Sequence, residues 1–344
     1  MYIQALGNIS PQTDFNQLTQ KVDYTSNHLK AAEADITEFV NPNIARRMGR
    51  IIKMGVAAAM ACMKEAGLEK PDAITMGTAY GCLEDTGVFL KKLVEQNETM
   101  LTPTNFIQST HNTVSGQIAL LLKTHCYNNT FVHRGFSFES ALQDALMLMN
   151  ENDAEHVLVG AADEITDASH KILSRFDLYK SNITNSGELF AEHTKGTIAG
   201  EGAVFFMMNK NASEKDYAIL KDVTTFYKPI SSNAVTDHIN KFLSLNGLSI
   251  SDIDVVINGK NGDVQNDKVY EQLEENIFSD KINITYKQWC GEFPTSTAYA
   301  LWLAANIAKH QQLPADKTNM SIKHLLVYNH YQNIHHSLQL VTAC

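Results

Sequence analysis

The chain has 344 residues, 44% of them hydrophobic and 19% charged. That length suits two ordinary domains or one large duplicated one, and the apolar share excludes a wholly disordered polymer. Twenty-eight basic against 38 acidic residues give a formal charge of −10, which argues against a general nucleic-acid binder and against docking on an anionic membrane.

Helical and extended patterns alternate along the chain. Arg46 to Gly67 is rich in Ala, Met and Ile at helical spacing, with Gly67 as its C-terminal stop. Asp72 to Thr78 reads as a strand, Leu83 to Gln96 and Thr113 to Leu122 as helices, and Thr130 to Val132 as a short β-branched run. A helix over Phe138 to Met149 and a buried strand over His156 to Gly160 follow. The polar stretch Asp177 to Lys195 reads as a long irregular insertion. Beyond it, Gly196 to Met208 and Tyr217 to Phe226 are extended and Ala234 to Leu245 is helical. The rhythm closes with strand Asp254–Ile257, helix Asp267–Ile277, strand Ile282–Tyr286, helix Thr297–His310 and a hairpin of His324–Tyr328 with Ser337–Val341. This order predicts an α/β protein with mixed sheets. The chain is expected to be one unit over 1–344, with halves of about 1–210 and 211–344.

Met1 to Ser10 has neither a basic nor an apolar leader segment, and the apolar run Met54 to Met63 is too short to span a bilayer. The five cysteines, Cys62, Cys82, Cys126, Cys290 and Cys344, include no CxxC pair. A reduced, cytoplasmic setting without a disulfide framework or zinc site is expected. Cys82 and Cys290 read as buried small hydrophobes. His330, His335 and His336 are the tightest histidine cluster, but adjacent strand residues face opposite ways, so no metal site is expected there.

Four segments in order resemble the β-ketoacyl synthases of the thiolase fold: Arg46–Arg50 with its Ala-rich helix, Ser115-Gly116-Gln117-Ile118, Gly200-Glu201-Gly202-Ala203, and Leu248–Asp254. The resemblance implies a duplicated αβαβα layered fold. It also implies a nucleophilic cysteine at a strand-to-helix turn, where the helix N-terminus favours a thiolate. Here that turn reads His133-Arg134-Gly135-Phe136-Ser137, so the cysteine position falls on Gly135, or on Ser137 with a gap. Gly259 stands for the first catalytic histidine and Glu292 for the second, while the family's lysine survives as Lys287. The family's Gly-Phe-Gly-Gly turn aligns with Gln332-Asn333-Ile334-His335. Decarboxylative condensation needs a thiolate and donors for an enolate oxygen. Glycine provides neither, and an ionised Glu292 would repel the enolate.

Two readings stay open for each remaining residue. Ser137 is either a replacement nucleophile, with His111 or His133 as base, or the cap of the helix beginning at Phe138. Lys287 and Glu292 form either a buried pair in the former cavity or a partly solvated one, and Arg134 is a candidate to neutralise Glu139 or Glu292. By the same resemblance, Phe89, Leu90, Leu93, Phe106 and His111 belong to an acyl tunnel near a dimer interface, with packing as the alternative. The implied function is a non-condensing, chain-length-factor-like subunit in fatty-acid or polyketide-type biosynthesis, with an aryl-polyene or flexirubin-type pathway as a finer expectation. Its partners would be an active β-ketoacyl synthase and an acyl carrier protein, whose acyl-phosphopantetheine arm is the substrate; no cofactor is expected. The alternative is an acyltransferase, hydrolase or decarboxylase rebuilt on the same scaffold around Ser137 or Lys287. Arg46, Arg47, Arg50 and Lys53 are the candidate basic patch for an acidic carrier.

Overall fold

The computed structural model, which describes residues 1–316 and 318–344, builds the chain around one ten-stranded mixed sheet. Its strands are β1 (Tyr2–Ile9), β2 (Ala73–Gly77), β3 (Tyr127–Phe131), β4 (His156–Asp163), β5 (Gly202–Asn209), β6 (Ala218–Tyr227), β7 (Val255–Asn258), β8 (Ile282–Thr285), β9 (His324–Tyr331) and β10 (His335–Thr342). The principal helices are α1 (Arg50–Ala66), α2 (Leu83–Glu95), α3 (Pro103–Gln108), α4 (Thr113–Leu121), α5 (Ser137–Asn150), α6 (Asp167–Ser174), α7 (Ser232–Leu245), α8 (Lys268–Glu275) and α9 (Thr297–His310).

The sheet order is β8-β7-β9-β10-β6-β1-β5-β4-β2-β3. In the first half β2 runs parallel to β3 and β4, and β5 runs antiparallel to β4 and β1. The second half repeats this sense for sense: β7 is parallel to β8 and β9, and β10 is antiparallel to β9 and β6. Antiparallel pairing of β1 with β6 joins the two. Parallel neighbours require crossover connections, and the helices supply them. The fold is therefore the duplicated, thiolase-like α/β architecture.

Side-chain pattern sets the layers. Helix α9 is buried continuously from Thr297 to Ala308, and a helix apolar all round belongs inside. With α5 it shares one core that takes side chains from both half-sheets. On the outside of the first half, α1 buries Ile51, Ile52, Val56 and Ala59 against β1, β4 and β5 and ends at Gly67, whose φ of 70° closes the last turn. On the outside of the second half, α7 and α8 pack Ile239, Phe242, Tyr270 and Leu273 against the sheet.

Most predicted elements fall within a few residues of those observed, and α9 runs from Thr297 to His310 as read. The stretch expected to be irregular needs correction. It contains a helical turn, Ser186–Ala191, because the Asn185 side chain accepts from the Glu188 N–H and buries Leu189 under a polar exterior. Strand β1, helix α3 and helix α6 had no sequence signal strong enough to mark them.

Gly7 permits the closest strand-to-helix approach, since a Cβ there would overlap the Ala58 carbonyl of α1. Gly7→Ala should lower stability by about 1–3 kcal/mol, as overpacked cores do. A fall in the urea midpoint at unchanged slope would show it, and an unchanged midpoint would contradict this packing.

Candidate functional site

The turn from β3 into α5 sits where the resemblance expects a nucleophile. Arg134 holds a left-handed φ of 46° there and is exposed. Strain of this kind costs about 1–3 kcal/mol in a non-glycine residue. Gly135 is buried, and a Cβ on it would stand 2.6 Å from Tyr331 Cβ and 2.9 Å from His335 Cβ, so no side chain fits. Ser137 is fully buried as the first residue of α5. Its Oγ accepts from the His133 N–H at 2.8 Å and donates to the Arg134 carbonyl at 2.9 Å.

Two expectations for Ser137 change on this geometry. It does not cap α5; its hydroxyl closes the turn before the helix, whose N-cap residue, Phe136, makes no side-chain cap bond. Nor is it activated as a nucleophile. The His133 ring stacks on Phe136 at 5.4 Å, and His111 is exposed with its ring against Gly81. Neither ring is a hydrogen-bond partner of Ser137 among the described residues.

The histidine positions are filled differently. A Cβ at Gly259 would overlap Asn329 Oδ1 and approach Tyr270 Oη within 2.5 Å. Tyr286 donates to that Asn329 oxygen at 3.0 Å, and the Tyr270 hydroxyl accepts from the His330 N–H at 2.8 Å. Lys287 Nζ lies 2.6 Å from Glu292 Oε2, with side-chain exposures of 1% and 10%. The pair is thus buried, against the partly solvated alternative. Asn261 Nδ2 donates to the same oxygen at 2.6 Å, while Oε1 has no partner among the described residues. Arg134 neutralises neither expected acid: Glu139 accepts from Ser337 Oγ at 2.9 Å, and Glu292 is met by Lys287.

The segment carrying this pair is clamped to the first half. The Glu292 N–H donates to the Ile198 carbonyl at 2.9 Å, and the Gly200 N–H donates to the Glu292 carbonyl at 3.1 Å. Gly200 is needed because a Cβ there would overlap the Cys290 carbonyl. Asp163, at the end of β4, accepts from Thr78 Oγ1, the Ala79 and Tyr80 N–H groups and Thr295 Oγ1. It thereby fixes Tyr80, whose hydroxyl stands 3.1 Å from that of Tyr331.

The space left at the centre is a cavity of about 30 Å³ among Tyr179, Thr197, Asn261, Glu292 and Tyr331, room for about one water molecule. Beside it a mostly apolar pocket of about 150 Å³ is lined by Leu83, Ile165, Ile172, Leu173 and Phe293, with Glu164 at its wall. Burial pushes the carboxyls of Glu164 and Glu139 up to about 7. Burial likewise lowers the His336 imidazole to about 4. His330 is held by the Asn266 carbonyl and the Asn333 N–H. No group of three or more His, Cys, Asp or Glu is placed to hold a metal among the described residues.

The proposed tunnel residues lie elsewhere, on the outer face. Phe89 packs on Phe106 with ring centroids 5.3 Å apart, and Leu90, Val94, Phe106, Ile107 and Leu120 are exposed. Leu93 is half-buried and His111 exposed. Strand β3 ends the sheet, paired on one side only, by β2, and it contacts α4, which carries Leu120. Of the candidate basic patch, Arg50 is engaged with buried Glu201 at 2.5 Å. The sequence assigns no role to Tyr80, Tyr179, Asn261 and Tyr331, which shape the centre, although Asn261 lies two residues after Gly259 in the segment aligned with the first-histidine motif.

Residues 19–180 match the family model of the β-ketoacyl synthase N-terminal domain. A 3-oxoacyl-[acyl-carrier-protein] synthase 2 of Staphylococcus aureus is 21% identical over 180 residues, covering 49% of this chain and 43% of that protein. The chain thus spans less than half the length of the curated relatives it matches. Over its whole length it superposes on the ishigamide ketosynthase/chain length factor with a TM-score of 0.83 at 15% identity, covering 98% of that chain. It covers 98% of a chain from the complex of a ketosynthase with its chain length factor from Xenorhabdus doucetiae, with a TM-score of 0.79 and 14% identity. No helix among the described residues is long and apolar enough to cross a membrane.

Lys287→Met leaves Glu292 buried without its cation and should cost about 3–5 kcal/mol in urea unfolding. Adding Glu292→Gln should recover most of that loss; a double variant as unstable as the single would contradict a mutual pair. The raised carboxyl of Glu139 has a second consequence. Its folded-state value of about 7 exceeds the ordinary 4.5, so the stability it contributes is complete below about pH 4.5 and is lost as pH rises toward 7. Glu139→Gln should flatten that part of the stability–pH curve, and an unchanged slope would contradict the shift.

Proposed function

Since residues 19–180 belong to the β-ketoacyl synthase family and the whole chain has its thiolase-like fold, we propose that the protein is a non-condensing, chain-length-factor-like subunit. Its partner would be an active β-ketoacyl synthase of fatty-acid or polyketide-type biosynthesis. The observation that carries this reading is the filled centre. Where condensation would occur, Gly135 is overlain by Tyr331 and His335, and Lys287, Glu292 and Asn261 occupy the second-histidine region. The space left among these side chains is about 30 Å³.

What remains available is the outer face. An edge strand with free backbone groups invites pairing by another chain. Leu90, Val94, Phe106, Ile107 and Leu120 are exposed as well, and exposed apolar side chains gathered on one face mark protein interfaces. Both solved relatives named above include a ketosynthase with a chain length factor, which supports a paired subunit here. The chemistry then belongs to the partner, which would receive the acyl-phosphopantetheine arm of an acyl carrier protein. Phe89, Leu90, Leu93 and Phe106 would bound the tunnel on this chain's side, and no cofactor of its own is proposed. Within the class, an aryl-polyene or flexirubin-type pathway is the finer reading, carried by the resemblance to short ketosynthase-like subunits that lack the cysteine.

The rebuilt-enzyme alternative has less to stand on. The Ser137 hydroxyl is spent within its turn, and Lys287 is 1% exposed with its charge taken up by Glu292.

Co-expression with a cysteine-bearing ketosynthase from a neighbouring gene should give a stable heterodimer in analytical ultracentrifugation. Phe106→Glu with Leu120→Glu should weaken the pairing at least about tenfold, because two charges would be desolvated at the contact. In the reconstituted pair, Phe89→Ala should alter the length of the product. Failure to pair, or pairing and product length indifferent to all three changes, would defeat the proposal.

A further inference from the structure

The strand-to-helix turn that follows β3 meets the end of β6 and the β9–β10 hairpin around an open groove of about 740 Å³. Its lining is Val132, His133, Arg134, Phe136, Tyr227 and His335, with Ala79 and Ile334 beside them. We propose that this groove binds a phosphate monoester carried on an aromatic or apolar stem.

The walls suit the stem. His335 meets Phe136 edge-on at 4.8 Å and Tyr227 at 5.4 Å, and the His133 ring stacks on Phe136. The charges suit the phosphate. Arg134 lines the groove, is exposed and makes no ion pair among the described residues, while Lys228 Nζ stands 5.3 Å from the centre of the Tyr227 ring. None of the lining residues is an acid, although the chain as a whole carries −10.

His335 reports this local field. Burial lowers its imidazole, and His133, Arg134 and Lys228 lower it further, with no carboxylate opposing them. The groups facing it are His133 and Arg134 from the turn, Lys228 and Tyr227 from the end of β6, and Tyr331 across the hairpin. Its Nδ1 is buried without a hydrogen-bond partner among the described residues. The Tyr331 backbone acts in the opposite sense and raises the imidazole pKa, and an anion against the exposed part of the ring would likewise favour the protonated form.

Backbone strain points to the same place. Arg134 and Lys228 both hold left-handed φ values, 46° and 47°. The Lys228 N–H is tied to the Ile334 carbonyl at 2.8 Å. Non-glycine residues in this region cost about 1–3 kcal/mol each, and such strain clusters at ligand clamps.

The test is titration of the full chain with phenyl phosphate, followed through the imidazole nitrogens by NMR, with inorganic phosphate and benzyl alcohol as comparison probes. Phenyl phosphate should move the His335 resonances saturably and raise its pKa. It should bind more tightly than phosphate alone, and benzyl alcohol should leave His335 unmoved. Arg134→Gly and Lys228→Asn suit the left-handed backbone and should leave the urea midpoint unlowered. Together they should weaken phenyl phosphate binding at least about tenfold, as loss of charge-assisted hydrogen bonds does. The proposal is overturned if His335 does not respond saturably, if the folded double variant binds unchanged, or if phosphate alone or benzyl alcohol matches phenyl phosphate.

Discussion

Much of this molecule's character follows from one buried charge pair in the seam between its two halves. Lys287 and Glu292 meet at 2.6 Å inside a segment whose backbone is stitched to Ile198 and Gly200 of the other half. Taking both charges from water is costly, and their attraction offsets that cost only with good geometry and added hydrogen bonds. Asn261 supplies one such bond. Glycine at position 200 lets the two backbones approach closely enough for the pair to sit in the seam. The same arrangement occupies the seam with side chains that attract one another.

The filling is cooperative in a structural sense. Asp163 holds the turn bearing Tyr80, Tyr80 meets Tyr331, and Tyr331 with His335 covers Gly135. A cysteine at Gly135 would collide with Tyr331 and His335 of the β9–β10 hairpin. Two carboxyls buried in this neighbourhood, Glu139 and Glu164, remain largely protonated below pH 7. Burial without a cation is tolerated by giving up the charge.

The fold was largely legible because its helices and strands carry strong periods. Ala-rich α1 and α9 are both buried, one against a single half-sheet and one between two, and their sequences differ accordingly: α1 keeps a polar edge and α9 does not. Gly135, Gly259 and Glu292 are placed at the family's catalytic positions by the resemblance alone, and the side chains that surround them in the fold carry no such signal. Tyr80, Tyr331 and Asn261 come from three separate loops or strand ends, and only the tertiary structure brings them together. Ser137 was misjudged as a cap because a serine before a helix can serve either the helix or the preceding turn, and only the closed turn decides between them. Phe89 and Phe106 are expected either to bound a tunnel or simply to pack; in this chain they pack on each other with Phe106 exposed, and a tunnel wall would need another molecule.

The central claim is that this thiolase-fold chain carries no acyl group itself and works through a partner. Intact-mass measurement of both chains after incubation of the reconstituted pair with acyl-loaded carrier protein addresses it most directly. The account predicts an acyl adduct on the partner's cysteine and none on this chain. An adduct on this chain that disappears in Ser137→Ala would contradict it.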